Sequence, residues 1–204
     1  MSLTSNLQAQ TLRSNSVVTK VGNPSGPKPV TGDLASVVYW AGQIVPKLQL
    51  ACEGYYNRLP TLVTNGTYTV SDYQATDCSN PGNRFWCTDL VISAYNLGGI
   101  TGGVNQNHRG VAEMNNFWQS AQAASLGYTY INYQAVKSVA DVKPGFVMFY
   151  AQHVRLVKEV KFNDIYGNGV IIAYESNGPS PEFPYPFHNF QLDNPNVLAF
   201  GGHQ

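Results

Sequence analysis

The chain has 204 residues, of which 12% are charged, against roughly 25% in ordinary soluble domains. Twelve basic and twelve acidic residues cancel, and no basic run offers nucleic acid an electrostatic footprint. No stretch approaches the roughly 18–20 apolar residues of a membrane-spanning helix, so no membrane insertion is expected. A hydrophobic content of 43%, with 13 tyrosines, nine phenylalanines and three tryptophans, excludes a disordered chain. Three cysteines and four histidines are too few for a disulfide scaffold and lack zinc-finger spacing.

The length suits one domain with a sizeable core. Solubility falls to uncharged polar groups, with 31 Asn and Gln residues. Such a surface suits a hydrogen-bonding, non-ionic partner such as a glycan or a peptide backbone.

Residues 1–32 are rich in Ser, Thr, Asn, Gly and Pro and read as a flexible arm or linker. They hold no apolar core of the kind a secretory signal needs. The domain is expected over 33–204. Asp33 is a candidate N-cap, and Leu34, Val37, Val38, Ala41, Ile44 and Val45 recur at helical spacing, which predicts a helix ending near Leu50. A turn-rich region follows to Arg84, with a turn at Asn65-Gly66 and a short strand over Thr67–Val70. The clearest helix covers 86–97, where Leu90, Val91, Ala94 and Leu97 share a face with Cys87 and Gly98-Gly99 stops it. A further helix is expected over 111–124. Beyond Pro144-Gly145 the pattern turns strand-like at 146–150, 153–160, 169–177 and 197–200. Pro179–Phe190, rich in proline and aromatics, is expected as a loop at the cleft or a rigid surface connection. Helices followed by strands predict an α+β domain with an antiparallel sheet.

Cys87 falls in the first turn of the 86–97 helix, where the helix N-terminus favours a thiolate, the nucleophilic form. His153 opens a strand whose alternation sets Val154, Leu156 and Val160 on one face and His153, Arg155, Val157 and Glu159 on the other. A histidine at a strand end can serve as a general base. Alternation also puts Glu175 and Asn177 on a common face. A hairpin turning near residue 164 or 165, inside the turn-rich segment 162–169, sets His153 beside both. An acceptor in that place would fix the tautomer of a catalytic histidine and stabilise its charged form.

These segments resemble a known family. Phe85-Trp-Cys-Thr-Asp-Leu-Val-Ile-Ser-Ala-Tyr-Asn-Leu-Gly-Gly-Ile100 resembles the nucleophile helix of CHAP and NlpC/P60 cysteine amidases and peptidases. Val142-Lys-Pro-Gly-Phe-Val-Met-Phe149 and Gln152-His-Val-Arg-Leu-Val157 are similar to that family's next two strands. Ile171-Ile-Ala-Tyr-Glu-Ser-Asn177 is similar to the CHAP strand ending in Glu-x-Asn. The resemblance spans roughly residues 80–178. It implies a papain-like α+β fold, with N-terminal helices packed on a C-terminal antiparallel sheet. Cys87 would be the nucleophile, His153 the base, and Glu175 and Asn177 its orienting partners. It further implies a peptidoglycan hydrolase, an amidase or endopeptidase that is extracellular or cell-wall associated. Its partner would be peptidoglycan or its peptides, and it would need no metal and no organic cofactor. A monomer is the default. The chain departs from the pattern at Phe146, where the family has Asp, at Gln152, where it has Gly, and at Arg155, where it has a small residue. The first bears on a turn and the other two on the shape of the cleft.

Other residues carry blander expectations. Asp89 complements the helix dipole, Asn80 and Asn83 sit in a turn or contribute to an oxyanion site, and Trp86 is a cleft wall or a packing anchor. Cys52 and Cys78 could form a disulfide closing a loop of about 27 residues, which would stabilise by roughly 3.5 kcal/mol. His108, His188 and His203 show no partner pattern and are expected as exposed or structural. Two alternatives stand beside the wall hydrolase: a papain-like peptidase acting on proteins, and a non-catalytic wall-binding module on the same fold.

Overall fold

The computed structural model describes residues 31–50, 56–58, 85–188, 191–192 and 196–204. The expectations at Cys52, Asn65-Gly66, Thr67–Val70, Cys78, Asn80 and Asn83, and most of the N-terminal arm, lie outside them.

Helix α1 runs Leu34–Ile44, capped by the Asp33 carboxylate, which accepts from Ser36 N at 2.7 Å. It is shorter than its periodicity suggests: Pro46 tightens the next turn to a 3-10 helix, and a two-residue strand, β1 (Gln49–Leu50), follows. β1 pairs antiparallel with β2 (Tyr56–Arg58). Helix α2 is Cys87–Leu97, with Trp86 as its N-cap residue. It packs closely on α1. A Cβ at Gly98, just past its end, would stand 2.9 Å from Val37 N, and Gly98 O accepts from Gly32 N. The helix expected over 111–124 is two: α3 (Val111–Trp118) and α4 (Ala121–Ser125). Ser120 divides them, since its hydroxyl accepts from Ala123 N and so caps a new helix.

Seven further strands form one antiparallel sheet: β3 (Tyr128–Asn132), β4 (Val147–Tyr150), β5 (Val154–Phe162), β6 (Gly169–Tyr174), β7 (Glu182–His188), β8 (Gln191–Leu192) and β9 (Val197–His203). Their order is β3-β9-β4-β5-β6-β7-β8. The domain is therefore α+β, with its N-terminal helices packed on a C-terminal antiparallel sheet. β7 replaces the expected loop. Its prolines, Pro184 and Pro186, are two residues apart, so both missing donors point to the same side of the strand. The strand pairs with β6 through the ladder Gly169↔Phe187 to Tyr174↔Glu182.

Pleating gives the sheet two apolar faces. Val147, Phe149, Val154, Leu156, Tyr174 and Ala199 pack with α1, α2 and α3 in one buried cluster. Met148, Val157, Val160, Ile171, Ala173 and Phe200 form the other, against Val136, Val139, Val142 and Phe146. Val160 belongs to the second cluster, contrary to simple alternation. A register shift between Val157 and Glu159 flips the strand there.

Candidate functional site

Four elements converge at one end of the sheet: the start of α2, the start of β5, the end of β6 and the segment just ahead of α3. Near that end the β5–β6 hairpin pairs Leu156 with Tyr174 and Val157 with Ala173. This register centres on residue 165, one of the two centres expected from the sequence. The four predicted site residues, Cys87, His153, Glu175 and Asn177, all lie there.

Cys87 is the first residue of α2 and 3% exposed, and it is the free cysteine among the described residues. The start of its helix is anchored twice. The buried Asp89 carboxylate accepts from Trp86 N at 2.8 Å, and the buried Ser176 hydroxyl donates to the carbonyls of Phe85 and Trp86 at 3.2 and 2.9 Å. Ser176 thus ties the strand-end segment that carries Glu175 to the turn that carries Cys87. Asp89 does more than complement the helix dipole. Arg109 grips it with Nε at 3.0 and 3.1 Å from its two oxygens and Nη2 at 3.0 Å from one of them. Burial raises the Asp89 carboxyl above the ordinary carboxylate range, against the pull of Trp86 N and Arg109. The Thr88 hydroxyl bonds the Arg109 carbonyl and holds the same segment.

His153 sits just ahead of β5, near enough to Cys87 for the thiol to raise its pKa. Its Nε2 lies 2.7 Å from Oε1 of Glu175, within ion-pair range but off the line of the ring N–H. Burial disfavours the charged ring, but the hydrogen bonds and charges of Cys87 and Glu175 outweigh it and raise His153 from 6.5 to about 9. The stabilisation this pairing lends the fold is full below about 6.5 and is lost as pH rises through about 9.

Glu175 is 1% exposed, and its backbone N–H donates to Pro181 O. The strand ends at Tyr174, so alternation does not carry through to Asn177 as expected. Asn177 takes a left-handed conformation, φ 56°, which asparagine tolerates better than most residues. There it enters the wall of a cavity. The cavity measures about 380 Å³ and is lined by Trp86, Cys87, Arg109, Gly110, Val111, Gln152 and Asn177. Trp86 is 36% exposed and serves as a cleft wall, with the Arg109 guanidinium 6.0 Å from its ring centre. Thus a thiol at a helix start, an imidazole and a buried carboxylate stand in series beside a cleft. Such a series can pass a proton from sulfur to nitrogen while the carboxylate supports the charged ring.

The roles of three contributors were not legible in the sequence. Arg109 is 20 positions from the carboxylate it pairs with, and only the fold brings them together. Ser176 reads as filler between two functional residues. Arg155, expected only to shape the cleft, turns its Nη2 to Glu175 Oε1 at 2.8 Å. The remaining histidines lie elsewhere. His108 stacks on Phe117 at 4.4 Å, with burial lowering its pKa. His203 Nε2 is 3.0 Å from Leu126 O, and His188 lies on β7. No described helix is long and apolar enough to cross a membrane. No family model, curated protein or solved structure matches the chain.

Proposed function

We propose that the protein is a cysteine hydrolase of papain-like, CHAP type that cleaves amide or peptide bonds in cell-wall peptidoglycan. The observation that carries this proposal is the series Cys87, His153 and Glu175, with the ring 2.7 Å from the carboxylate and its charge favoured by the neighbouring Cys87, on the edge of a cleft whose wall includes Cys87. Peptidoglycan as the substrate is supported by the four motif resemblances, and an extracellular or wall-associated location follows from that substrate.

In the mechanism, His153 holds the proton drawn from Cys87 as its charged ring, and the Cys87 sulfur attacks the amide carbonyl, forming an S–C bond. The oxyanion is held by backbone N–H groups at the start of α2, including that of Cys87. His153 returns the proton to the leaving nitrogen as the C–N bond breaks. Water, deprotonated by His153, then attacks the thioester and restores the thiol. Glu175 supports the charged ring throughout, and Asn177 shapes the cleft beside the reacting sulfur. The anchors at Asp89 and Ser176 hold the helix start at the distance the attack requires.

Mass spectrometry of fragments released from purified peptidoglycan, comparing the native protein with Cys87→Ala, tests the proposal. Muropeptides from the native protein alone support it, and their masses identify the bond. Release by neither protein sinks the wall-hydrolase reading. One observation favours a second reading, a wall-binding module: Cys87 is only 3% exposed. Co-sedimentation with peptidoglycan, coupled with a Cys87 inert to iodoacetamide, would select it.

A further inference from the structure

We propose that Arg155 is a positioning residue of this site: caged by aromatic rings, it clamps Glu175 so that one carboxylate oxygen stays on His153. The clamp rests on the reading of Cys87 and His153 as the reacting pair, but its readout does not require turnover.

Three observations converge. First, Glu175 Oε1 is shared, with His153 Nε2 at 2.7 Å and Arg155 Nη2 at 2.8 Å. A buried carboxylate needs a cationic or hydrogen-bonding neighbour. His153 supplies a charge only in part of the reaction, when it holds two protons. Arginine never deprotonates, so Arg155 supplies a positive neighbour whichever form the ring takes. Second, the guanidinium is itself held in place. Its carbon lies 4.6 Å from the ring centre of Tyr150, 5.3 Å from Tyr185 and 5.8 Å from Phe183. Those rings come from β4 and β7, so the sheet on either side of the β5–β6 hairpin sets where the charge can stand. Third, the surroundings leave Glu175 little other support. Its Oε2 is buried with no hydrogen-bond partner in the protein, and a Cβ at Gly178 would collide with its carboxyl group. The position of the carboxylate therefore depends on its two cationic neighbours, and Arg155 is the permanent one.

The titratable groups facing this unit are Cys87 from α2, Tyr150 from β4 and Tyr185 from β7. Asp89 and Arg109 are paired with each other at the start of α2. Burial raises both tyrosines, so they stay neutral in the range where His153 titrates. Two roles for Arg155 then differ in sign. If Arg155 were only a nearby positive charge, its removal would relieve repulsion of the imidazolium, and His153 would titrate higher. If it holds Glu175 in place, its removal loosens the carboxylate, and His153 titrates lower.

The experiment is NMR titration of histidine rings in the full chain, with the His153 signal assigned by its loss in His153→Gln. Arg155→Met keeps the length of the side chain and removes the charge. The clamp predicts that His153 titrates lower in Arg155→Met by about one pH unit. It predicts a smaller fall in Arg155→Lys, which keeps the charge but not the planar fork. Should Arg155→Met not fold, the Lys variant decides by the same sign. In a Glu175→Gln background, Arg155→Met should add little, because Arg155 acts through that carboxylate. A rise, no change, or an undiminished effect without Glu175 overturns the clamp. A native protein that hydrolyses nothing yet shows this pattern leaves the clamp standing and removes the hydrolase reading alone.

Discussion

The domain buries polar aromatics in two places, and the two are built differently. On the helix side of the sheet, Tyr95, Trp118, Tyr128 and Phe149 pack at ring separations of 5.1–6.1 Å. Each polar tip there is matched to backbone: Tyr95 OH donates to Gly145 O at 2.9 Å, Tyr128 OH accepts from Val104 N at 3.2 Å, and Trp118 Nε1 donates to Gly202 O at 3.3 Å. At the end of the sheet, Tyr150 and Tyr185 surround Arg155 and Glu175. Here Tyr150 OH, Tyr185 OH, Arg155 Nε and Glu175 Oε2 are buried without an aligned hydrogen bond in the protein. Stability favours the first design, since an unmatched buried polar atom costs roughly 1–3 kcal/mol. The second cluster instead holds the charges of Arg155 and Glu175 in place, which is what the proposed reactive pair would need.

That contrast can be broken experimentally. The largest effect belongs to the helix side: Trp118→Ala should cost about 4 kcal/mol in denaturant unfolding, and a cost under about 1 kcal/mol would remove its structural role. Next is Gly178→Ala, whose new Cβ displaces the Glu175 carboxyl group. If the proposed hydrolase reading holds, the expected outcome is a roughly 100-fold loss of hydrolysis with a modest stability cost, seen by pairing fragment release with thermal unfolding. Asp89→Ala frees the N-cap residue and Arg109 together and should cost about 2 kcal/mol, read from the denaturation midpoint. The finest test compares two hydroxyl deletions. Tyr128→Phe should cost about 1 kcal/mol, because the Val104 N–H loses its acceptor, whereas Tyr185→Phe should leave stability nearly unchanged. Equal costs would erase the distinction between the clusters.

Where the sequence was legible, a local rule governed. The Asp33 cap, the start of α2 at Cys87 and the β5–β6 turn centre follow from capping, periodicity and turn composition, each acting within a few residues. It misled where a nearby feature overrode the pattern: Pro46 ends α1 early, Ser120 splits the 111–124 helix, and the shift at Val157–Glu159 turns Val160 to the other face. It was silent where the partner is distant. β7 reads as a proline-rich loop until β6 offers it a ladder, and nothing local to Arg109 points to Asp89, 20 positions away. Cys87, His153 and Glu175 could be named because each occupies a recognisable local setting. Arg155 could be named but not understood, since its meaning lies in rings from two other strands.

The central claim is that Cys87, His153 and Glu175 form one electrostatic unit. The most direct test is the NMR titration of the His153 ring in the native protein and in Cys87→Ala. The native ring should keep its charge up to about pH 9. Without the thiol, two of the causes that raise it are gone, so it should titrate lower. A His153 that titrates near its ordinary 6.5 in both proteins, or at the same value in both, would contradict the account.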